Sequence, residues 1–173
     1  MNFRLFACAF VFLLALAGCS PPRSLPQRSQ TLAEARKGFT PRPTGARSGD
    51  PLEAPPPDTL RVVSYESPAG QLAAYLSTEP RDGRRHPAII WITGGDCNSI
   101  GDVWSPAEPG NDQTASRFRS VGIVTMYPSL RGGNRNPGVK EGFYGEVEDV
   151  IAAARAVRAL PFVDPQRVYL GGH

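Results

Sequence analysis

Residues 163–173 read VDPQRVYLGGH, and this stretch decides how the rest of the chain is interpreted. Val168, Tyr169 and Leu170 form a short apolar run of residue types that favour β-strands. Apolar character on both faces is typical of a strand buried in a parallel sheet. Gly171 and Gly172 follow at once, and consecutive glycines mark a turn. The stretch therefore predicts a buried strand that opens into a sharp turn.

The segment before this strand predicts a helix. It reads EVEDVIAAARAVRAL from Glu146, with acidic residues in the first turn and arginines toward the end, as the helix dipole favours. Its large and small apolar residues recur at the i, i+3, i+4 spacing of one buried face: Val147, Val150, Ile151, Ala154 and Val157. Pro161 ends the helix, and Asp164-Pro165 predicts a turn before the final strand.

Further strands and one short helix are predicted upstream. Residues 60–65 and 72–76 are β-type runs separated by turn residues, which indicates a hairpin. Residues 88–92 and 123–127 are continuous apolar runs, and a short helix is expected at about 112–120 between them. The order is hairpin, strand, helix, strand, helix, strand. Alternation of this kind predicts an α/β fold with right-handed βαβ crossovers and a parallel sheet covered on both faces.

Composition divides the chain into a tail and a domain. Nine of the eighteen prolines lie between residues 20 and 58, among few large apolar side chains. Such a segment buries too little surface to order itself, so residues 19–58 are predicted to be a Pro-rich disordered linker. Residues 59–173 contain twelve basic and twelve acidic side chains. A neutral domain lacks the basic surface that nucleic-acid-binding proteins usually have, so we expect no nucleic-acid partner.

The N-terminus carries a targeting signal. One arginine precedes an apolar run at 5–17, which is shorter than the roughly 20 residues needed to span a bilayer. Residues 1–18 are therefore predicted to be a signal peptide. Leu16-Ala17-Gly18-Cys19 resembles the lipobox of bacterial lipoproteins, which implies that Cys19 is lipidated. The predicted location is the bacterial cell envelope, on its periplasmic or extracellular face; cleavage without lipidation would instead release a soluble product.

Counting strands gives the turn at 171–173 a specific meaning. From the hairpin onward, the final strand is the fifth, and in an α/β-hydrolase fold the nucleophile follows that strand in a Gly-x-Ser-x-Gly elbow. Gly172 and His173 fit the first two positions, with serine expected immediately after His173. The prediction is an α/β-hydrolase fold truncated after the fifth strand, with no catalytic residue of its own and no activity alone. The alternative is an ordinary turn at the end of a strand.

A longer block resembles one family. Residues 122–173 are similar to the catalytic domain of the prolyl oligopeptidase and dipeptidyl peptidase group of serine hydrolases. The matching motifs are Arg131-Gly132-Gly133, Gly145-Glu146-Val147-Glu148-Asp149 and Val163-Asp164-Pro165-Gln166-Arg167-Val168. The segment 88–98, AIIWITGGDCN, resembles the strand and oxyanion loop of the same group. The resemblance covers roughly residues 60–173 and implies that residues 59–173 are the N-terminal half of such a catalytic domain. It also implies cleavage of a peptide or ester substrate through an acyl-enzyme. The large peptidases place a β-propeller before this domain, and the short linker here leaves room for a carboxylesterase or dienelactone-hydrolase-like activity.

Acyl transfer also requires donors for the oxyanion that forms when serine attacks a carbonyl. The candidates are Thr93, Gly94 and Gly95, where a glycine-rich turn leaves a buried strand. The resemblance places Thr93 where dipeptidyl peptidases have a tyrosine hydroxyl. Because a threonine side chain is shorter, the backbone N–H of Gly94 or Gly95 is the better candidate. The alternative is an ordinary turn between a strand and a helix.

The remaining polar residues give weaker expectations. His173 is expected to be structural, because in this fold the catalytic histidine comes later in the chain. His86 is expected to be solvated. Two histidines and Cys97 lack the spacing of metal ligands, so neither a metal site nor a cofactor is predicted. Arg131 and Arg135 could face a substrate cleft or solvent.

Two other classes of function compete with a hydrolase. A lipoprotein could use the same scaffold only for binding, and the residue that follows His173 in the longer product would decide between them. A dinucleotide-binding protein is disfavoured, because no G-x-G-x-x-G follows the first buried strand.

Overall fold

The computed structural model describes residues 31–173, which divide into a short unit ending at Phe39 and a domain spanning residues 40–173. The first unit contains helix α1, Leu32–Arg36. Thr31 and Glu34 form its capping box, in which each side chain accepts a hydrogen bond from the other residue's backbone N–H, at 3.2 and 2.9 Å. The predicted signal peptide and Cys19 lie outside the described residues. In the part of the chain that is described, no helix is long and apolar enough to cross a membrane.

A mixed sheet forms the centre of the domain. Its strands are β1 (Leu60–Ser67), β2 (Gly70–Ser77), β3 (His86–Ile92), β4 (Val124–Pro128) and β5 (Val163–Gly172). They lie in the order β1-β2-β4-β3-β5. The hairpin β1–β2 is antiparallel and joins β4 in an antiparallel pair, whereas β3 is parallel to both β4 and β5. This confirms the predicted hairpin followed by parallel strands.

Strand β5 differs from the prediction in two respects. The register shifts between the pairs His86–Val163 and Ala88–Val168, so the predicted turn at Asp164-Pro165 is instead an irregularity inside the strand. Proline has no N–H for the ladder, and a bulge accommodates it. Most of the strand is also not buried. Val163 is buried, but Tyr169 and Leu170 are 54% and 65% exposed, and β3 is the only strand that pairs with β5 among the described residues.

Two helices flank the described sheet, α2 (Ser116–Ser120) and α3 (Glu146–Arg158). Helix α2 is shorter than the predicted 112–120. The Asp112 carboxylate accepts hydrogen bonds from Thr114 N at 2.9 Å and Ser116 Oγ at 2.5 Å, which holds the preceding residues in a turn. Gly122 follows the helix with a φ of 81°, consistent with the predicted glycine stop.

The predicted buried face of α3 is confirmed at Val157, which is 1% exposed, but is wrong for Ile151 in the middle of the helix. Ile151 is 39% exposed, whereas the buried residues are Glu146, Asp149, Ala152, Ala153 and Val157. The buried stripe is rotated away from the large apolar residues because two carboxylates of the first turn have partners in the loop that precedes the helix. Apolar periodicity alone cannot reveal such partners.

Apolar clusters cover both faces of the sheet. On one face, α3 packs on strand residues that include Leu72, Ile90 and Met126. On the other face, Tyr75 and Tyr127 pack with Ile100 and with partly buried aromatic residues. Full burial of one large apolar side chain stabilises the fold by about 1.5–3 kcal/mol, so both layers contribute.

Residues 40–58, here called the strap, are packed on the domain. Thr44 N donates to Lys140 O at 2.7 Å, and Ser48 N donates to Gly132 O at 2.7 Å. Tyr75 Oη donates to Glu53 O at 2.9 Å. The domain therefore begins at Thr40, and this part of the predicted linker is ordered. Backbone N–H groups of the strap donate hydrogen bonds to specific carbonyl oxygens in a loop that is distant in sequence. The amino-acid composition does not reveal such bonds.

Candidate active site

The carboxyl ends of β3 and β5 meet at one edge of the sheet. Ile92 pairs with Gly172, and His173 N donates to Ile92 O at 3.1 Å. Residues 93–95, here called the oxyanion loop, leave β3 at this point. In open α/β sheets, ligands bind beyond the carboxyl ends of the strands. The structure thus brings together the predicted elbow residues Gly172 and His173 and the predicted loop.

Gly94 fits closely against His173. A Cβ atom on Gly94 would lie 2.9 Å from His173 Nδ1 and 3.2 Å from His173 O, too close for any larger residue without a shift. Gly95 has a φ of 73°, in the left-handed region that glycine adopts without strain. These two glycines allow the loop to turn beside the end of β5.

The oxyanion loop presents unused donors. In the network formed by residues 31–173, the backbone N–H groups of Gly94 and Gly95 donate no hydrogen bond. The Thr93 hydroxyl oxygen is buried and also lacks a partner among these residues. These amide groups beside the end of β5 are therefore free to donate to a ligand.

His173 itself lies at the exposed end of the described chain. Among the described residues, no carboxylate hydrogen-bonds to its ring, so these residues supply no acid to orient it as a base. Its expected structural role remains a prediction.

Arg131 lies in the loop after β4 and faces neither solvent nor a cleft, which corrects both predicted alternatives. It is 8% exposed, and its Nε and Nη2 donate to the two oxygens of Asp149, each at 2.9 Å. Its Nη1 donates to Glu141 at 2.9 Å. The hydrogen bond with Asp149 raises the pKa of Arg131, although burial opposes it. The arginine therefore holds the loop to the first turn of α3.

Gly145 makes room for this arginine. A Cβ atom at Gly145 would lie 1.8 Å from Arg131 Nη1. The backbone at the start of α3 is thus packed directly against the guanidinium group.

Asn98 connects the loop after β3 to the same cluster. Its Nδ2 donates to Arg131 O at 2.8 Å and to Glu146 Oε1 at 3.0 Å. Its backbone oxygen accepts from Ser129 Oγ at 2.9 Å and from Leu130 N at 2.8 Å. The role of Asn98 and the burial of Glu146 and Asp149 were not predicted from the sequence. For the two acids, one signal was available: they extend the alanine stripe of α3 at i, i+3 spacing.

Asp96 and Cys97 separate the oxyanion loop from Asn98. Asp96 Oδ2 lies 2.6 Å from Lys140 Nζ. Partial burial raises the pKa of Asp96, but Lys140 together with hydrogen bonds from Ser99 and the Asn98 backbone outweighs it and leaves the pKa below its usual value. Cys97 is half-buried, and burial, with Asp96 and Glu146 nearby, raises the pKa of its thiol. Such a thiol is a poor nucleophile at neutral pH.

Two further residues differ from their predicted surroundings. The side chain of His86 is only 17% exposed, and its ring nitrogens lie 2.9 Å from Asp82 Oδ1 and 3.2 Å from Gly122 O, so it is not solvated. Arg135 is exposed but is bonded to the strap, since its Nε donates to Gly49 O at 2.7 Å. Within residues 31–173, no group of three or more histidine, cysteine or acidic side chains could hold a metal ion.

Comparison with known proteins supports the fold. No protein-family model matches the sequence, and no curated protein matches it. A mutant of the esterase Est22 matches with a TM-score of 0.50 and 17% identity over 69% of this chain and 36% of its own. The chain has the α/β-hydrolase fold.

Other solved structures match more weakly. A hyperthermophilic esterase from the archaeon Pyrobaculum calidifontis matches with a TM-score of 0.46 and 20% identity, over 72% of this chain and 36% of its own. An α/β serine hydrolase without a lid from Xanthomonas campestris matches with a TM-score of 0.42 and 20% identity, over 71% of this chain and 53% of its own. The chain spans about a third of the length of the esterases that it matches.

Proposed function

We propose that this chain is the N-terminal half of the catalytic domain of a serine hydrolase, with its nucleophile immediately after His173 in the longer protein. One observation carries the proposal: the end of β5 lies beside a glycine loop whose Gly94 and Gly95 N–H groups are unused by residues 31–173. In the α/β-hydrolase fold, a nucleophile on the turn after this strand reaches a carbonyl held against such a loop.

The chemistry follows from this placement. The serine attacks an acyl carbonyl, and negative charge develops on the carbonyl oxygen. The N–H of Gly94 or Gly95, together with the N–H of the residue after the nucleophile, stabilises that charge. The acid and base that activate the serine come later in the chain in this fold. The Thr93 hydroxyl is a third candidate donor.

The proposed substrate is a peptide, as the resemblance to prolyl oligopeptidases and dipeptidyl peptidases implies. An ester substrate is the second candidate, because a solved structure with a similar fold is an esterase. A scaffold used only for binding would keep the loop but lack the serine.

The proposed location is the bacterial cell envelope, with Cys19 as the lipidated residue. The support is the sequence Leu16-Ala17-Gly18-Cys19 after a short apolar run. A substrate would then be met on the periplasmic or extracellular side.

A fluorophosphonate probe tests the nucleophile. The natural protein is labelled and digested, and the modified peptide is sequenced; we expect the label on a serine directly after His173, and none after replacement of that serine by alanine. Turnover of a p-nitrophenyl ester and of a prolyl p-nitroanilide then separates esterase from peptidase. Absence of labelling, or a label elsewhere, would contradict the proposal and favour a binding role.

A further inference from the structure

We infer that Asn98 is a positioning residue that fixes the oxyanion loop by binding it to the buried cluster under the loop after β4. The inference rests on the proposed function, because it assigns a role to a residue that does not itself touch the reacting atoms. Asn98 lies three residues beyond Gly95 and is 6% exposed.

Apart from a hydrogen bond that its Oδ1 accepts from the neighbouring Cys97 thiol at 3.6 Å, the bonds of Asn98 lead away from its own loop. Its amide group donates to Arg131 O and Glu146 Oε1, and its backbone oxygen accepts from Ser129 and Leu130. One residue therefore ties the loop after β3 to both the loop after β4 and the start of α3.

The cluster that receives Asn98 is rigidly held. Arg131 is bound in two places by Asp149, which has no exposed surface, and Glu146 Oε1 also accepts from Glu141 N at 2.7 Å. Glu146 Oε2 is buried without a partner among these residues, but the remaining bonds involve charged groups, and buried hydrogen bonds of that kind are strong. The position of Asn98 is therefore fixed relative to the sheet.

Between Asn98 and β3 the chain makes weaker attachments. Asp96 is held by Lys140, but its side chain is 48% exposed, and Gly94 and Gly95 donate no hydrogen bonds within the described chain. The loop is anchored by β3 at Ile92 and by Asn98 at its other end. Loss of the second anchor would let the Gly94 and Gly95 donors move, and a misplacement of about 1 Å can cost about 100-fold in rate.

Cys97 reports the position of this loop without any need for catalysis. Its thiol lies 3.6 Å from Asn98 Oδ1 and is half-buried. In the tryptic peptide 86–117 it is the single cysteine, so its alkylation can be read by mass spectrometry in the natural protein. Alkylation of a half-buried thiol increases when its loop opens.

Asn136 provides a matched control. It is 5% exposed, and its Nδ2 donates to Ser129 O at 3.1 Å and Leu130 O at 3.2 Å, while its Oδ1 accepts from Ala73 N at 3.0 Å. Its Nδ2 also donates to Ser129 Oγ at 3.0 Å, and this hydroxyl in turn donates to Asn98 O, but no partner of Asn136 belongs to the loop after β3 itself. A substitution here removes a comparable buried amide without releasing the oxyanion loop.

The test compares Asn98→Ala with Asn136→Ala in the natural protein. We expect iodoacetamide to modify Cys97 about tenfold faster in Asn98→Ala and at an unchanged rate in Asn136→Ala. In turnover assays we expect Asn98→Ala to lower kcat by about 10- to 100-fold with KM little changed. Asn98→Ser, which keeps one hydrogen-bond donor, should restore part of both effects and serves if the alanine variant does not fold.

Three results would overturn the inference. An unchanged alkylation rate in Asn98→Ala would show that Asn98 does not hold the loop, and an equal increase in Asn136→Ala would show only general loosening. Unchanged kcat in an enzyme whose loop has opened would show that the loop position does not matter for turnover. A natural protein without hydrolase activity contradicts the proposed function instead, and the alkylation rates still decide whether Asn98 positions the loop.

Discussion

Replacement of Asp149 by alanine tests the energetic importance of the buried cluster. The Asp149 side chain has no exposed surface and accepts four hydrogen bonds: from Ser67 Oγ at 2.5 Å, Arg131 N at 3.0 Å, and Arg131 Nε and Nη2 at 2.9 Å. The substitution leaves the guanidinium of Arg131, whose side chain is 10% exposed, with Glu141 as its remaining charged partner.

The size of the effect follows from the charge that is left behind. Removal of one member of a buried ion pair costs about 3–5 kcal/mol, mostly because the other charge remains buried and poorly paired. Since Glu141 still offsets part of that charge, we expect about 3 kcal/mol. With a urea m-value of about 2 kcal/mol per molar, the unfolding midpoint should fall by about 1.5 M.

Urea unfolding of the natural protein, followed by circular dichroism, measures the shift. Glu66→Ala removes an exposed carboxylate from β1 and should change the free energy of unfolding by less than about 0.5 kcal/mol. The double variant Arg131→Met with Asp149→Leu removes both charges and should be more stable than Asp149→Ala. A midpoint shift below about 0.5 M for Asp149→Ala would refute the account of the cluster.

Further predictions address the site, the anchor and the pH dependence. Gly94→Ala should displace His173, because the new Cβ would lie 2.9 Å from its ring, and should lower kcat by about 100-fold in steady-state assays of the natural protein. A normal kcat would mean that this glycine is not at the site. Cys19→Ala should release the protein from membrane fractions, and unchanged partitioning would contradict lipidation. Purified 1–173 should not hydrolyse p-nitrophenyl acetate, and turnover that Gly94→Ala abolishes would show that the site is misassigned. Hydrogen bonds from Ser116 and then Thr114 lower the pKa of Asp112 to about 2. The carboxylate therefore stabilises the fold above pH about 4, and this contribution should be lost between pH about 4 and 2. In Asp112→Asn the free energy of unfolding should depend less on pH in that window. An unchanged pH dependence would show that Asp112 does not cause the loss of stability.

Much of the sheet could be predicted, because the residue types of a strand can be recognised from the local sequence alone. The apolar runs at 60–65, 72–76, 88–92 and 123–127 all lie in strands or overlap them closely. The oxyanion loop and Gly172 meet as expected, since the carboxyl ends of parallel neighbours lie at one edge.

The parts that could not be predicted depend on long-range polar contacts. Helix α3 has a recognisable start and end, but its buried face is decided by Arg131, which turns Asp149 inward. Asn98 gives no periodic signal at all, because four of its five partners lie 31 or more residues away. The packing of the strap could not be predicted for the same reason. Proline content describes the flexibility of the isolated segment, but it does not reveal the distant carbonyl groups to which the segment hydrogen-bonds.

The strap also sets an order of events during biosynthesis. It leaves the ribosome early, but its partners come much later: Thr44 binds Lys140 across 96 positions, and Gly49 binds Arg135 across 86. Contacts of such long sequence separation form slowly, because a large loop must close first. Until strand β4 and its following loop have been made, Thr44, Ser48 and Gly49 lack these partners, and this part of the strap remains open to proteases and chaperones. Docking of the strap is therefore a late step in the maturation of this domain.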